Sequence, residues 1–293
     1  MYLSYSGWKK LSDCEFAYWL AYVARLPIEG VDNMVNSLFG SVLGELFEDF
    51  YNGGYWRKNR RNGLSSEEFL DSRTKDKLLQ VVKDKKRKGQ VIQWKDEDPL
   101  ATYKSKDELL RDLRQGIRSG LASIRFHRLI GKDARAEVKL DGTFHSHRIA
   151  GRADLLMTRI PPDEDLVLLD GKGSKPHNRK YVDPDQLRWY GMLYRHKFKR
   201  LPDKLGFLFW RAGPVESIDW LAFCEDDLSE LFERVLTVAN SVESRLARLE
   251  SRPSLSSVRK IFRDRPSQSA CRFCPYAVRK ICPEGFSLTH QSD

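Results

Sequence analysis

Between residues 134 and 173 the apolar residues stop recurring at helical spacing and begin to alternate, and this stretch constrains the chain more than any other. ARAEVKL, HRIAGRADLLMTRI and EDLVLLDGKG read as three antiparallel strands, with DG at 141–142 and PPDED at 161–165 as turn signals. Asp154 and Asp170 are equidistant from Pro162, so a hairpin centred there sets the two acids opposite each other. Side chains alternate along a strand, which puts Lys172 on the face of Asp170 and turns Gly171 away.

Two carboxylates brought together beside the apolar run LVLL repel each other and resist burial, so the arrangement calls for a cation. Magnesium or manganese held by Asp154 and Asp170 would bind a phosphate and lower the pKa of water, and Lys172 would orient that water or counter charge in the transition state. That chemistry is phosphodiester hydrolysis. Acid-x-Lys triplets also occur at Asp84 to Lys86 and Glu137 to Lys139. Asp170 stands apart because it ends an apolar strand, precedes glycines and has a partner acid in register.

Elsewhere the apolar spacing is helical at 11–26 and 34–51. Residues 53–131 read as a helical insertion with Trp56, Trp94 and the basic run between Arg73 and Lys95. Asp183 and Pro184 make a good start for a helix over DQLRWYGMLYRHKF, where Gln186 and Tyr190 share a face. KLGFLFWR and SIDWLAF read as two further strands and 226–250 as a long amphipathic helix. The expected class is α/β, a mixed central sheet flanked by helices. Four parts follow: N-terminal helices (1–52), the insertion (53–131), a core (132–252) and a C-terminal cysteine segment (253–293).

With 293 residues, 41% of them hydrophobic, the chain can bury a proper core. Its longest apolar runs fall far short of the ~20 residues that cross a bilayer, and its first residues lack a secretory pattern, so a cytoplasmic protein is expected. Lys and Arg number 51 against 41 Asp and Glu, a balance of +10 that favours a polyanion such as nucleic acid.

GRADLL, LLDGKG and DQLRWYGMLY resemble, in order and spacing, the second, third and fourth motifs of the RecB-like nucleases of the PD-(D/E)XK superfamily, which have a restriction-endonuclease-like core. The resemblance covers about residues 11–50 and 134–285. It implies that Asp154 and Asp170 are metal ligands, Lys172 the catalytic lysine, and Gln186 with Tyr190 an auxiliary motif for DNA binding and catalysis. Glu137 resembles a recurrent family acid that supports the ligands. One departure concerns an early helix that usually reads Gly-x-x-x-His and supplies a metal ligand. In GSVLGELFE, Gly44 occupies the histidine position, leaving Glu45 or Glu48 to reach the metal.

Cys271, Cys274 and Cys282 lie together in CRFCPYAVRKIC, and Cys14 sits far upstream. In a reducing compartment this spacing argues for a metal site, and zinc fits the ligands as well as iron does. Resemblance decides between them, because AddB and many CRISPR-adaptation nucleases hold a [4Fe-4S] cluster by one early and three late cysteines. Its role would be structural, joining the two ends of the chain. Cys224 reads as a buried strand cysteine without a ligand role.

The expected activity is a Mg- or Mn-dependent deoxyribonuclease, an exonuclease on single-stranded DNA or free ends; Trp56, Trp94 and Trp189 read as core residues first and as stacking platforms second. Recombination, defence and CRISPR-adaptation proteins are the partners this implies. Gly44 and the basic insertion keep a second reading open, a catalytically weakened DNA-binding or scaffold protein of the same fold.

Overall fold

The computed structural model describes the chain except residues 27–34, 58–64, 99–100, 132, 174–181, 250, 252, 264, 268–270, 272–273 and 291–293. Its elements are β1 (Tyr2–Ser4), α1 (Tyr5–Asp13), α2 (Glu15–Tyr18), α3 (Val35–Asn52), α4 (Ser66–Arg87), α5 (Lys106–Phe126), β2 (Arg135–Phe144), β3 (His147–Thr158), β4 (Leu166–Lys172), α6 (Pro184–Phe198), β5 (Lys204–Phe209), β6 (Ile218–Leu221), α7 (Glu225–Leu246), α8 (Leu255–Ile261), α9 (Pro275–Val278) and α10 (Pro283–His290). The class is α/β, as expected.

β3 organises the sheet. β2 pairs with it antiparallel along almost its whole length, from Arg135↔Leu156 to Phe144↔His147. The other edge of β3 is therefore shared: β1 runs parallel beside Arg148 to Ala150, and β4 runs antiparallel beside Leu155 to Thr158. β5 joins β4 in parallel and β6 joins β5 antiparallel, which makes the sheet mixed. Residues 151–154 of β3 lie in the gap between β1 and β4.

Two apolar cores cover the sheet. The first contains Leu3, Leu140, Ile149, Trp189, Leu193 and Val235, drawn from β1–β3, α6 and α7. The second contains Phe39, Leu43, Phe47, Leu113, Ile117, Leu155 and Trp210, so α3 and α5 cover the opposite side. Ala136 and Leu155 belong to the second core, whereas Val138 and Ala153, two residues away on each strand, pack against the first. The alternation thus changes face at Glu137 and Asp154. Glu137 has φ 55°, a left-handed conformation costly for a residue with a Cβ, and that twist accomplishes the change.

Several expectations need correction. The helix expected over 11–26 begins at Tyr5 and breaks at Cys14, whose backbone is extended and whose Sγ accepts from Ala17 N at 3.5 Å. Beyond α2 the chain makes a π-helical turn, Trp19–Val23. β1 was not anticipated, because three residues carry too little pattern. Asp141 and Gly142 lie within β2, and the chain turns at His145 and Ser146 instead. Cys224 is exposed beyond the end of β6, where it precedes α7 rather than lying buried in a strand. Met34 and Glu250, the expected ends of two helices, fall outside the described residues.

Candidate active site

The β3–β4 hairpin has the register expected from Pro162. Leu155 faces Leu169 and Thr158 faces Leu166, and the same pairing carried one step further sets Asp154 against Asp170. Gly171 N donates to Asp154 Oδ2 at 2.7 Å. The β2–β3 register likewise sets Glu137 opposite Asp154, between the pairs Ala136↔Leu155 and Val138↔Ala153. Three acids from adjacent strands therefore form a row.

Lys172 Nζ lies 2.6 Å from Asp170 Oδ2, on the face that strand alternation requires. It also donates to Gln186 Oε1 at 2.8 Å. The Gln186 amide nitrogen donates to Asp170 Oδ1 at 2.9 Å and to the Tyr190 hydroxyl at 3.2 Å. One side chain thus fixes both the lysine and the acid. It can do so because Asp183 caps α6, accepting from Asp185 N at 3.0 Å with Pro184 behind it, which places Gln186 in the first helical turn. That turn also presents the positive end of the helix dipole to the carboxylates.

On the opposite side, the backbone of α3 approaches the end of β4. A Cβ added to Gly173 would stand 3.0 Å from Gly40 Cα, so a side chain there would push the helix away. The close approach lets Glu45 and Glu48 line one pocket with Glu137 and Asp154. Gly44 lines it too, and a Cβ on Gly44 would meet nothing within 4 Å, leaving open the volume that a histidine would fill. Glu45 pairs with Lys77 of α4 at 3.5 Å. Burial, then the Glu137 carboxylate, raises the pKa of Glu48.

Asp170 is 3% exposed, and burial holds its pKa above the ordinary carboxylate range. Asp154 is raised in the same way, by burial first and then by the charge of Asp170. Among the described residues, no three His, Cys, Asp or Glu side chains converge in ligand geometry. The acids turn instead to protein cations: Asp170 to Lys172, Glu137 to Arg152 at 3.0 Å, and Glu45 to Lys77. Two neighbouring carboxylates with raised pKa values, Asp154 and Asp170, suit a hard divalent cation, which would replace Lys172 as the partner of Asp170.

This has a consequence for pH. A folded-state pKa raised above the unfolded value favours the protonated fold, so this contribution to stability is lost as pH rises from the ordinary carboxylate range, about pH 4, through the raised values. Chelator-treated protein should therefore gain more melting temperature from Mn²⁺ at about pH 8 than at about pH 5. A melting temperature insensitive to Mn²⁺ at both pH values would rule out a cation site at these acids.

The four cysteines expected to act together line one cavity, formed by α1, α2 and the C-terminal segment. A Cβ on Gly285 would lie 3.3 Å from Cys271 Sγ and 3.4 Å from Cys282 Sγ, so these two sulfurs approach a common point. Glu15 beside Cys14 holds the segment in place, accepting from Arg245 at 2.7 Å and from Arg263 N at 3.1 Å.

Trp189 is fully buried and donates to Ala150 O at 3.1 Å, which excludes it as a stacking platform. Trp56 and Trp94 are partly buried against the second core. Sequence reasoning missed Arg152 and Lys77, the cations that hold Glu137 and Glu45. Centring the first hairpin on residues 145–146 instead of on DG would have set Glu137 against Asp154.

A mixed sheet that sets Glu137 and Asp154 along a pocket, and beside them holds Asp170 and Lys172 together through one glutamine, is the arrangement of a nuclease core. A family profile described as the PD-(D/E)XK nuclease superfamily matches residues 2–283, and the chain belongs to that superfamily. Its nucleases are hydrolases. Among solved structures, the chain is similar to a provisionally described exonuclease from Eubacterium rectale, with 16% identity, a TM-score of 0.41, and coverage of 89% of this chain and 92% of the other. It is also similar to a protein designated SSO0001, with 13% identity, a TM-score of 0.27, and coverage of 59% and 73%. A search of curated proteins found no match.

Proposed function

We propose that the protein is a Mg- or Mn-dependent deoxyribonuclease of the RecB-like, iron-sulfur type, acting on single-stranded DNA or free ends as an exonuclease. The observation that carries the reading is the row Glu137, Asp154 and Asp170, joined to Lys172 through Gln186. Asp154 and Asp170 would hold the cation, with Glu48 the better placed of the two α3 acids to take the part of the histidine for which Gly44 leaves room. Glu137 would support them. The metal supplies a positive centre that polarises the scissile phosphate and makes water a stronger nucleophile.

The protein's own part is positioning. With Asp170 given over to a cation, Lys172 would keep its hydrogen bond to the Gln186 carbonyl and could turn its ammonium to a phosphate oxygen or a water. Gln186 keeps hold of both groups, and Tyr190 braces its amide, so the lysine stays within reach of the cation as charge develops.

The cysteine cavity measures about 100 Å³, several times the ~10–15 Å³ that one water-sized atom needs. That room would admit a multi-atom cluster, and the pattern of one early and three late cysteines supports that reading over a single zinc ion. The second reading, a weakened DNA-binding or scaffold protein, rests on Gly44 and the basic insertion.

Purified protein should degrade end-labelled single-stranded DNA when Mn²⁺ or Mg²⁺ is added, and Lys172→Ala should slow this by about 10² to 10³-fold. Wild-type protein that binds the DNA and leaves it intact with either metal would sink the nuclease reading in favour of the second.

A further inference from the structure

The half of the sheet formed by β1, β3 and β2 has one face packed on the first core, through Leu3, Ile149 and Leu140, and one that forms a groove. Alternation sends Tyr2 and Ser4 of β1, Arg148 and Arg152 of β3, and Lys139 of β2 to this second face. Tyr2 is 58% exposed, an unusual place for a large ring, and the Arg148 guanidinium lies over it at 6.0 Å. Arg148 and Arg152 stand four residues apart on one face, about 13 Å at the usual strand rise. Against these cations the groove sets one acid, Asp141, paired with Arg148 at 3.2 Å. Both arginines are more than half exposed, so their ion pairs are weak and readily exchanged.

The groove does not end blindly. Gln186 and Tyr190 line it at one end, and the same Gln186 contacts Asp170 and Lys172. Along β3, Asp154 follows Arg152 by two residues, at the point where the strand changes face. The gap between β1 and β4 keeps this passage open.

We propose that this face is the track on which a single DNA strand lies as it approaches the acid row, with Tyr2 stacking on an unpaired base and Arg148, Arg152 and Lys139 holding phosphates. The partner is single-stranded because an exposed ring needs an unpaired base face, which a duplex hides. The net positive charge of the groove supplies the complementarity to the backbone. The assignment rests on the nuclease reading for its direction toward Asp154, whereas the binding itself is separable from cleavage.

The test uses full-length protein with chelator present, so that binding is read without hydrolysis. Fluorescence anisotropy compares a labelled oligodeoxynucleotide, its RNA counterpart and a blunt DNA duplex across a salt series. Tyr2→Ala should weaken binding of the single strand by about 5- to 100-fold, the range for one stacking contact. Arg148→Ala should weaken it and reduce the salt slope by about 0.7, as loss of one phosphate contact requires. Both side chains are exposed, and unchanged melting curves would verify that the variants are folded. Equal affinity for duplex, or single-strand binding unaffected by both substitutions, would overturn the track even if the wild type cleaves DNA. Weakened binding in these variants with no cleavage by the wild type would uphold the track and overturn the nuclease reading. Weaker binding of RNA than of DNA fits the proposal, and tighter binding of RNA would replace DNA as the occupant.

Discussion

Asp170→Asn should abolish metal-dependent DNA hydrolysis, with a loss of about 10³-fold or more, while leaving the fold intact. The asparagine side chain has nearly the same shape but a single oxygen, so one of the two donors, Lys172 or Gln186, loses its acceptor while the packing is kept. What disappears is the deepest carboxylate of the row. In the metal-free protein that carboxylate is a burden, because its burial opposes the charge more than the neighbouring Lys172 ammonium favours it. The melting temperature of chelator-treated Asp170→Asn should accordingly equal or exceed that of the wild type, and the gain from Mn²⁺ should vanish. Activity and melting together make a sharper test than either one. A merely structural Asp170 would give the reverse pattern, reduced stability with activity falling only in proportion. Glu45→Gln provides the comparison. Its carboxylate already pairs with Lys77, so a change under about 10-fold is expected, whereas a loss as large as that of Asp170→Asn would reassign the α3 ligand from Glu48 to Glu45.

The cysteine cavity predicts the second large effect. Protein purified without oxygen should be brown, with broad visible absorption that bleaches on reduction, and Cys282→Ser should lose both the colour and much of the stability. Nearly the whole chain separates Cys14 from the other three cysteines. A crosslink closing so long a loop contributes about 5 kcal/mol in the chain-entropy treatment developed for disulfides, or on the order of 10 °C in melting temperature for a chain of this size. The fold itself should persist, because Phe16 N donates to Arg263 O at 3.3 Å and Glu15 binds Arg245 and Arg263, ties that need no metal. Colourless protein carrying one zinc per chain would replace the cluster by a single ion. A Cys282→Ser variant that melts with the wild type would remove the cysteines from the account of stability altogether.

Much of this was legible in the order of residues. The β3–β4 register followed from the symmetric spacing of Asp154 and Asp170 about Pro162, because pairing in an antiparallel hairpin depends on little beyond where the chain turns. The meeting of Lys172 with Asp170 followed from strand alternation, and the start of α6 from Asp183 and Pro184. The same logic misplaced the first hairpin, because Asp141 and Gly142 look like a turn and His145 and Ser146 do not. There the long pairing of β2 with β3 outweighed local turn propensity. Cys224 was misread because the apolar pattern of β6 runs past the end of its hydrogen bonding, and burial is a property of what packs above a residue.

The sequence alone determined the α/β class, the two aspartates with their lysine, and the grouping of four cysteines, because each depends on short-range pairing or on residue chemistry. Only the tertiary structure decided that Glu137 stands opposite Asp154, that Glu45 pairs with Lys77, that Trp189 is fully buried, and that Tyr2 lies open on a basic groove. These depend on how α3, α4 and β1 pack against strands distant in the chain, and long-range packing leaves no periodic trace in the sequence.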